Sequence, residues 1–183
     1  MRKFRGQYRI ESTRLKGWDY SSAGFYYVTI CTKDKRPYFG IIGDGVVQLS
    51  AMGEIAISYW MEIPEHFSSV GIDEFVVMPN HVHGIVVIRS DAISRVETPH
   101  VASLLPEEDK RQFGPLKPGS LSKIIQGYKS AVTRQVRLMG EQDFAWQPKF
   151  YDHIIRDEED LRRVREYIQG NSIKWELDEY YKS

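Results

Sequence analysis

Residues 70–89, VGIDEFVVMPNHVHGIVVIR, decide the fold of this 183-residue chain. Two apolar runs, 70–78 and 81–89, are rich in valine, isoleucine and phenylalanine, side chains that suit a pleated, half-buried surface. Between them stands Pro79-Asn80, a turn pair: proline fixes φ, and asparagine tolerates tight backbone and bonds locally. The stretch therefore predicts a hairpin, and with it an antiparallel sheet. His81 and His83 fall at the start of its second strand.

Working outward, residues 24–33 (GFYYVTICTK) share the aromatic and β-branched composition and have no turn former after Gly24, which predicts a central strand. Residues 40–50 (GIIGDGVVQLS) predict two short strands about a Gly43-Asp44-Gly45 turn, expected to begin the same sheet. Met52, Ile55, Ala56, Tyr59, Trp60 and Ile63 recur at helical spacing over 51–63, with Ser50 placed to cap the helix and Pro64 expected to stop it. Residues 91–118 are polar, contain Pro99, Pro106, Pro115 and Pro118, and lack periodicity, so a long loop is expected. Ser120 can cap a second helix to about Met139, with Leu121, Ile124, Ile125, Tyr128, Val132, Val136 and Met139 as its apolar stripe and Gly140 as its end. A strand over 150–155 and a third helix from about Glu158, capped by Asp157 and packed through Leu161, Val164 and Ile168, complete the order. This succession implies one α+β domain over 1–183, with 1–16 as a basic arm and 90–118 as a long loop.

Composition narrows the function. No run of about 20 apolar residues is present to cross a bilayer, so no membrane partner and a cytoplasmic location are expected. A net charge of zero argues against a protein that coats nucleic acid without selection. The charge is nevertheless zoned. Arg2, Lys3, Arg5, Arg9, Arg14 and Lys16 face only Glu11, and Lys117, Lys123, Lys129, Arg134 and Arg137 occupy a stretch free of acids. On charge alone, solvated helix faces and a basic tail fit as well as a nucleic-acid surface. Cys31 is the single cysteine, so a metal would need histidine, carboxylate or amide ligands.

Residues two apart on a strand point to one face, so His81 and His83 can reach a single point with Val82 turned away. That suits a divalent ion, though two histidines at a strand end also fit a partly exposed surface. Tyr167 stands beside the stripe of Leu161, Val164 and Ile168, with its hydroxyl able to face a cleft. Asn171 follows at i+4, and a continued helix would put its amide on the same face. Gly170 makes that continuation uncertain on sequence, because glycine commonly stands just past a helix end. Tyr128, Tyr151, Tyr180 and Tyr181 are rival tyrosines, and each also fits a boundary core position.

Phe75-Val-Val-Met-Pro-Asn-His-Val-His-Gly resembles the His-hydrophobe-His motif of single-tyrosine HUH transposases, specifically the REP-associated branch. Three further strings agree in order: Arg14-Leu-Lys-Gly-Trp-Asp-Tyr with Phe25-Tyr-Tyr-Val-Thr-Ile-Cys-Thr, then Trp146-Gln-Pro-Lys-Phe-Tyr-Asp-His-Ile-Ile-Arg, then Glu166-Tyr-Ile-Gln-Gly-Asn. The match spans roughly 14–176. The family usually has proline after that asparagine, where this chain has Ser172, and a bulkier residue in place of Gly170.

The resemblance implies a ferredoxin-like α+β core, His81, His83 and Asn171 as metal ligands, and Tyr167 as the nucleophile. It implies cutting of single-stranded or hairpin DNA through a 5′-phosphotyrosine, with Mg or Mn as the ion and a monomer or homodimer as the working unit. Arg14, Lys16, Lys123, Lys129, Arg134, His153 and Arg156 are the residues expected to touch DNA, and Trp18, Tyr20, Tyr151 and Trp146 are candidate stacking rings. His153 fits a supporting role as well. Two readings compete: a noncatalytic ferredoxin-like nucleic-acid module built on Phe25, Tyr26 and Tyr27, and a phosphodiesterase in which metal-bound water attacks.

Overall fold

The computed structural model describes residues 3–4, 7–8, 14–15, 17–43, 45–90, 116–173 and 175. Residues 91–115 of the predicted 91–118 loop and the rival Tyr180 and Tyr181 lie outside them. The N-terminal arm holds two short antiparallel strands, β1 (Lys3–Phe4) and β2 (Gln7–Tyr8). There follow β3 (Gly24–Cys31), β4 (Gly40–Gly43), β5 (Val46–Leu49), α1 (Ala51–Met61), α2 (Ile63–His66), β6 (Val70–Met78), β7 (His81–Ile88), α3 (Leu121–Leu138), β8 (Tyr151–Ile155) and α4 (Glu158–Gln169). The predicted hairpin is β6–β7, and it joins β3 and β8 in a four-stranded antiparallel sheet of order β6-β7-β3-β8. Helices pack on the sheet, an α+β architecture consistent with the ferredoxin-like fold.

Alternation along the strands divides the molecule into two layers. Tyr26, Val28 and Ile30 of β3 and Val82, Val86 and Ile88 of β7 join the main core with Ala56 and Trp60 of α1 and Leu121, Ile124, Ile125, Tyr128, Val132 and Val136 of α3. The alternate residues Tyr27 and Ile85 face the other way, where Ile155 and Ile168 close a smaller cluster under α4. Gly84 is required by the first layer. A Cβ there would run into the buried indole of Trp60, so only glycine lets α1 approach β7 this closely.

Three local expectations are corrected. Among the described residues β4 and β5 pair only with each other, forming a separate two-stranded sheet. Each has four residues, and Ile41 and Val46 remain exposed, so neither offers the buried face that would fix register with the main sheet. Pro64 does not simply stop a helix. It sits in the first turn of α2, where its missing N–H costs nothing, and Ile63 belongs to that helix. Ser50 and Asp157 cap α1 and α4 through their side chains, but the Ser120 hydroxyl donates to the Lys117 carbonyl and leaves α3 without a side-chain cap.

Candidate active site

The two histidines sit on the α4 side of β7, fully buried. Asn80 Nδ2 donates to the Lys35 carbonyl at 3.2 Å, which turns Asn80 Oδ1 toward His81. His81 Nδ1–H then donates to that oxygen at 2.8 Å, leaving the lone pair of its Nε2 facing inward. His83 Nδ1 lies 2.7 Å from the Tyr27 hydroxyl and 2.9 Å from Thr29 Oγ1, and Thr29 is its cross-strand partner on β3. The two Nε2 atoms converge to 2.8 Å, close enough that one lone pair must meet the other ring's proton. Each imidazole is thus held by oxygen at Nδ1 and presents Nε2 to a common point, the arrangement that orients histidine toward a cation.

α4 brings Tyr167 to this point. Its ring centre is 5.3 Å from His83 and 6.2 Å from Tyr27, edge-on to both, while 45% of the residue stays exposed. Buried Ile168 docks the helix, and Arg165 donates two hydrogen bonds to Asp73, at 2.9 and 2.6 Å. The register of β6 shifts between Ile72 and Phe75, so Asp73 stands out of the ladder where it meets α4. The Arg165 guanidinium holds the Asp73 carboxyl below the usual carboxylate range against the effect of burial, helped by the Glu74 N–H that donates to Asp73 Oδ1.

Gly170 does not break the helical path. Its φ is −86°, and the Asn171 N–H donates to the Ile168 carbonyl at 3.3 Å, so Asn171 is carried on in a helical turn and is buried. Beyond it, the Trp175 ring stacks over His81 with centres 5.8 Å apart. Among the described residues no group of three His, Cys, Asp or Glu side chains stands together to hold a metal. A cation between His81 and His83 would therefore find no third His, Cys, Asp or Glu ligand among the described residues.

The remaining expected contacts are dispersed. Arg14 is used internally: its guanidinium bonds Asp152 at 3.3 Å and Ser122 at 2.6 Å and lies over the rings of Tyr20 and Phe150. Lys16 lies outside the described residues. Lys123, Lys129 and Arg134 stand on α3, in the opposite layer from the histidines. His153 shares the sheet face of its cross-strand partner Tyr27 and pairs with Asp160 at 2.7 Å, while Arg156 is exposed just after β8. Of the candidate stacking rings, Tyr151 is exposed and edge-on to Tyr27, and Trp18 is exposed, whereas Tyr20 is buried and Trp146 is packed among Phe39, Tyr128 and Phe144. Tyr128 is buried in the α3 layer, its hydroxyl donating to the Ala56 carbonyl and pushed up in pKa by burial, which removes it as a rival nucleophile at this site. The supports of the histidines were missed in the sequence: Tyr27 and Thr29 because strand register is needed to find them, and Asn80, next to His81, because in sequence it reads only as a turn residue.

No protein-family model matches the chain. An uncharacterized protein of Haemophilus influenzae is 39% identical over 178 residues, covering 96% of this chain and 95% of the relative. A structure of the REP-associated tyrosine transposase bound to a REP hairpin superposes with a TM-score of 0.57 at 19% identity, over 91% of this chain and 74% of that one.

Proposed function

The chain belongs to one family with the Haemophilus influenzae protein and has the fold of a REP-associated tyrosine transposase, and from this premise we propose that it is a transposase-like enzyme cutting single-stranded or hairpin DNA through Tyr167. The observation that carries the reading is the approach of the exposed Tyr167 ring to His83, one of two buried imidazoles with convergent Nε2 atoms.

The donor set fits a divalent ion. The two Nε2 atoms converge to 2.8 Å, so both imidazoles could reach one ion. His81 and His83 would hold it, with Asn171 as a third ligand and Mg or Mn as the ion. Bound there, the ion would supply Lewis-acid stabilisation of charge on a scissile phosphate. Asn80 and the Tyr27–Thr29 pair keep both Nε2 atoms aimed inward, so no ring need reorient at the moment of reaction. The sheet and α4 fix Tyr167 beside that point.

Tyr167 Oη attacks phosphorus and the bond to the 3′-oxygen breaks. A phosphotyrosine remains on the 5′ side, the phenolic proton passes to solvent, and the leaving oxygen takes up a proton to become a 3′-hydroxyl. Attack by a 3′-hydroxyl on the phosphotyrosine reverses the step and joins strands, with the phosphodiester bond energy retained throughout. One such tyrosine per chain requires two subunits or successive use of one site to exchange two ends.

The test incubates wild type and Tyr167→Phe with labelled hairpin and unpaired single-stranded DNAs and Mn²⁺, followed by denaturing electrophoresis. A protein–DNA band from wild type, absent in Tyr167→Phe and with chelator, is expected. Cutting that persists in Tyr167→Phe would replace the reading with attack by water, and binding without any cutting would favour a noncatalytic module.

A further inference from the structure

Just beyond β3 the chain makes a strained turn, and that turn reaches the histidines. Residues 33–36 form it, closed by the Arg36 N–H donating to the Lys33 carbonyl at 3.3 Å. Its two central residues, Asp34 and Lys35, have φ of 57° and 54°, the type I′ pattern that glycine, asparagine and aspartate usually fill. Every other described residue with a positive φ is glycine. A lysine in this conformation crowds its Cβ against the following carbonyl. None of the turn's side chains is buried, so packing does not offset the strain. Hydrogen bonds hold the turn instead. The Lys35 N–H donates to the Thr32 carbonyl at 3.2 Å, and the Lys33 N–H to the Ala145 carbonyl at 2.8 Å. Thr32 is fully buried, and its Oγ1 lies 2.7 Å from the Arg36 carbonyl and 3.0 Å from the Asn80 carbonyl, sharing one proton between them. Its N–H donates to the same Asn80 oxygen at 2.9 Å, so Thr32 ties the far end of the turn to the residue that precedes His81.

What the turn delivers is the Lys35 carbonyl, which accepts from Asn80 Nδ2 at 3.2 Å. A carbonyl accepts and cannot donate, so it selects the NH₂ end of the Asn80 amide and leaves the amide oxygen for His81 Nδ1, 2.8 Å away. Reversed, the amide would present an N–H to Nδ1. The ring's proton would then have to sit on Nε2, the nitrogen that faces His83. One carbonyl oxygen, held in place by a strained turn, therefore decides which nitrogen of His81 keeps the lone pair that a cation needs. Strain of this kind persists only where the surroundings over-determine it, and here Thr32 and the backbone bonds of the turn do so.

We propose that the strained turn at Asp34 and Lys35 is a positioning element of the active site: Thr32 holds it, and through the Lys35 carbonyl and Asn80 it keeps the proton of His81 on Nδ1, with Nε2 left to accept a cation. This rests on the metal-centred reading of the two histidines. Thr32 and Lys35 act through Asn80, and so are positioning residues rather than catalytic ones.

The test reads the ring proton itself. Long-range proton–nitrogen NMR spectra of the full metal-free chain show which nitrogen of His81 is protonated, with its signals assigned by their loss in His81→Gln, and electron paramagnetic resonance of free Mn²⁺ gives the affinity. Wild type is expected to carry the His81 proton on Nδ1. Thr32→Val, which nearly keeps shape and removes the hydroxyl, is expected to shift a measurable fraction of that proton to Nε2 and to weaken Mn²⁺ binding about tenfold. Thr32→Ser, which restores the hydroxyl, should recover both. Lys35→Pro, whose ring forbids a positive φ, should act as Thr32→Val does, whereas Lys35→Ala, which keeps the carbonyl, should leave the proton on Nδ1. This second pair carries the test if Thr32→Val does not fold. An unshifted proton in both Thr32→Val and Lys35→Pro would overturn the proposal, as would equal shifts in Lys35→Ala and Lys35→Pro. A wild type that binds no Mn²⁺ would remove the metal reading, and the position of the proton would still decide whether the turn sets the ring.

Discussion

The two faces of one sheet are built from the same strands by opposite rules. On the face toward α1 and α3, β3 and β7 contribute Tyr26, Val28, Ile30, Val82 and Val86, all fully buried and apolar apart from a tyrosine hydroxyl that donates to the Ser22 carbonyl. On the face toward α4 the intervening positions are Tyr27, Thr29, His81 and His83, also buried but joined by hydrogen bonds. Area removed from water stabilises the first face. The second spends buried positions on polar groups, which gain little net stability even when satisfied. Such a network is costly to keep for folding alone, and its donors and acceptors all serve to orient two imidazoles.

This contrast predicts opposite outcomes on neighbouring residues of β7. His83→Ala is expected to leave a cooperative thermal transition in place and to lower cutting by about three orders of magnitude, the scale of several kcal/mol of lost charge stabilisation. Trp60→Ala, in the other layer, is expected to cost about 3–5 kcal/mol by leaving a cavity, measured by urea denaturation. Gly84→Ala belongs with Trp60 despite standing next to His83 in sequence: overpacking against the indole should cost about 1–3 kcal/mol. A Gly84→Ala protein of unchanged stability that no longer cuts DNA would break the division into a folding face and a chemical face.

A subtler change sharpens it. Thr29→Val removes one oxygen from His83 Nδ1 while nearly keeping shape, and is expected to weaken Mn²⁺ binding about 10- to 100-fold, followed by electron paramagnetic resonance of free Mn²⁺. The accompanying stability change should stay near 1 kcal/mol. Thr29→Ser, which restores the hydroxyl, should recover most of the affinity. Equal Mn²⁺ affinity in wild type and Thr29→Val would mean that the hydroxyl does not orient the ring.

Much of this was legible in sequence, for identifiable reasons. Pro79-Asn80 between two β-branched runs marks the central hairpin, and helical periodicity over 121–138 marks α3, because both signals are local and repeat many times. The histidine pair follows from strand alternation alone. Tyr27 and Thr29 were not legible as partners of His83, because their meeting depends on which residue of β3 lies opposite His83, a choice made by packing between strands far apart in sequence. The internal partners of Arg14 were hidden for a related reason. A basic residue near the terminus suggested a phosphate contact, but the structure turns it onto Asp152 and two aromatic rings, a pairing 138 residues away in sequence.

The smallest expected effect concerns the joint between the layers' chemistry and the helix that completes it. Asp73 and Arg165 connect the irregular stretch of β6 to α4, two residues before Tyr167. Arg165 is 43% exposed at its side chain, so the pair should contribute no more than about 1 kcal/mol to folding. Its effect on Tyr167 should be larger than its effect on stability, since small displacements of a reacting group are expensive. Asp73→Asn is therefore expected to slow adduct formation by about tenfold or less while barely moving the denaturation midpoint at neutral pH. The sign with pH follows from the direction of the shift. Hydrogen bonding to Arg165 holds the Asp73 carboxyl below the usual carboxylate range, so its contribution is present above the unfolded value of about 3.9 and is lost as pH falls through the folded value beneath it. The stability difference between wild type and Asp73→Asn should then shrink on acidification below about 3.9. If the difference instead stays constant down to the acid transition, the ion pair is not what fastens α4, and the docking of Tyr167 rests on Ile168 and its apolar neighbours alone.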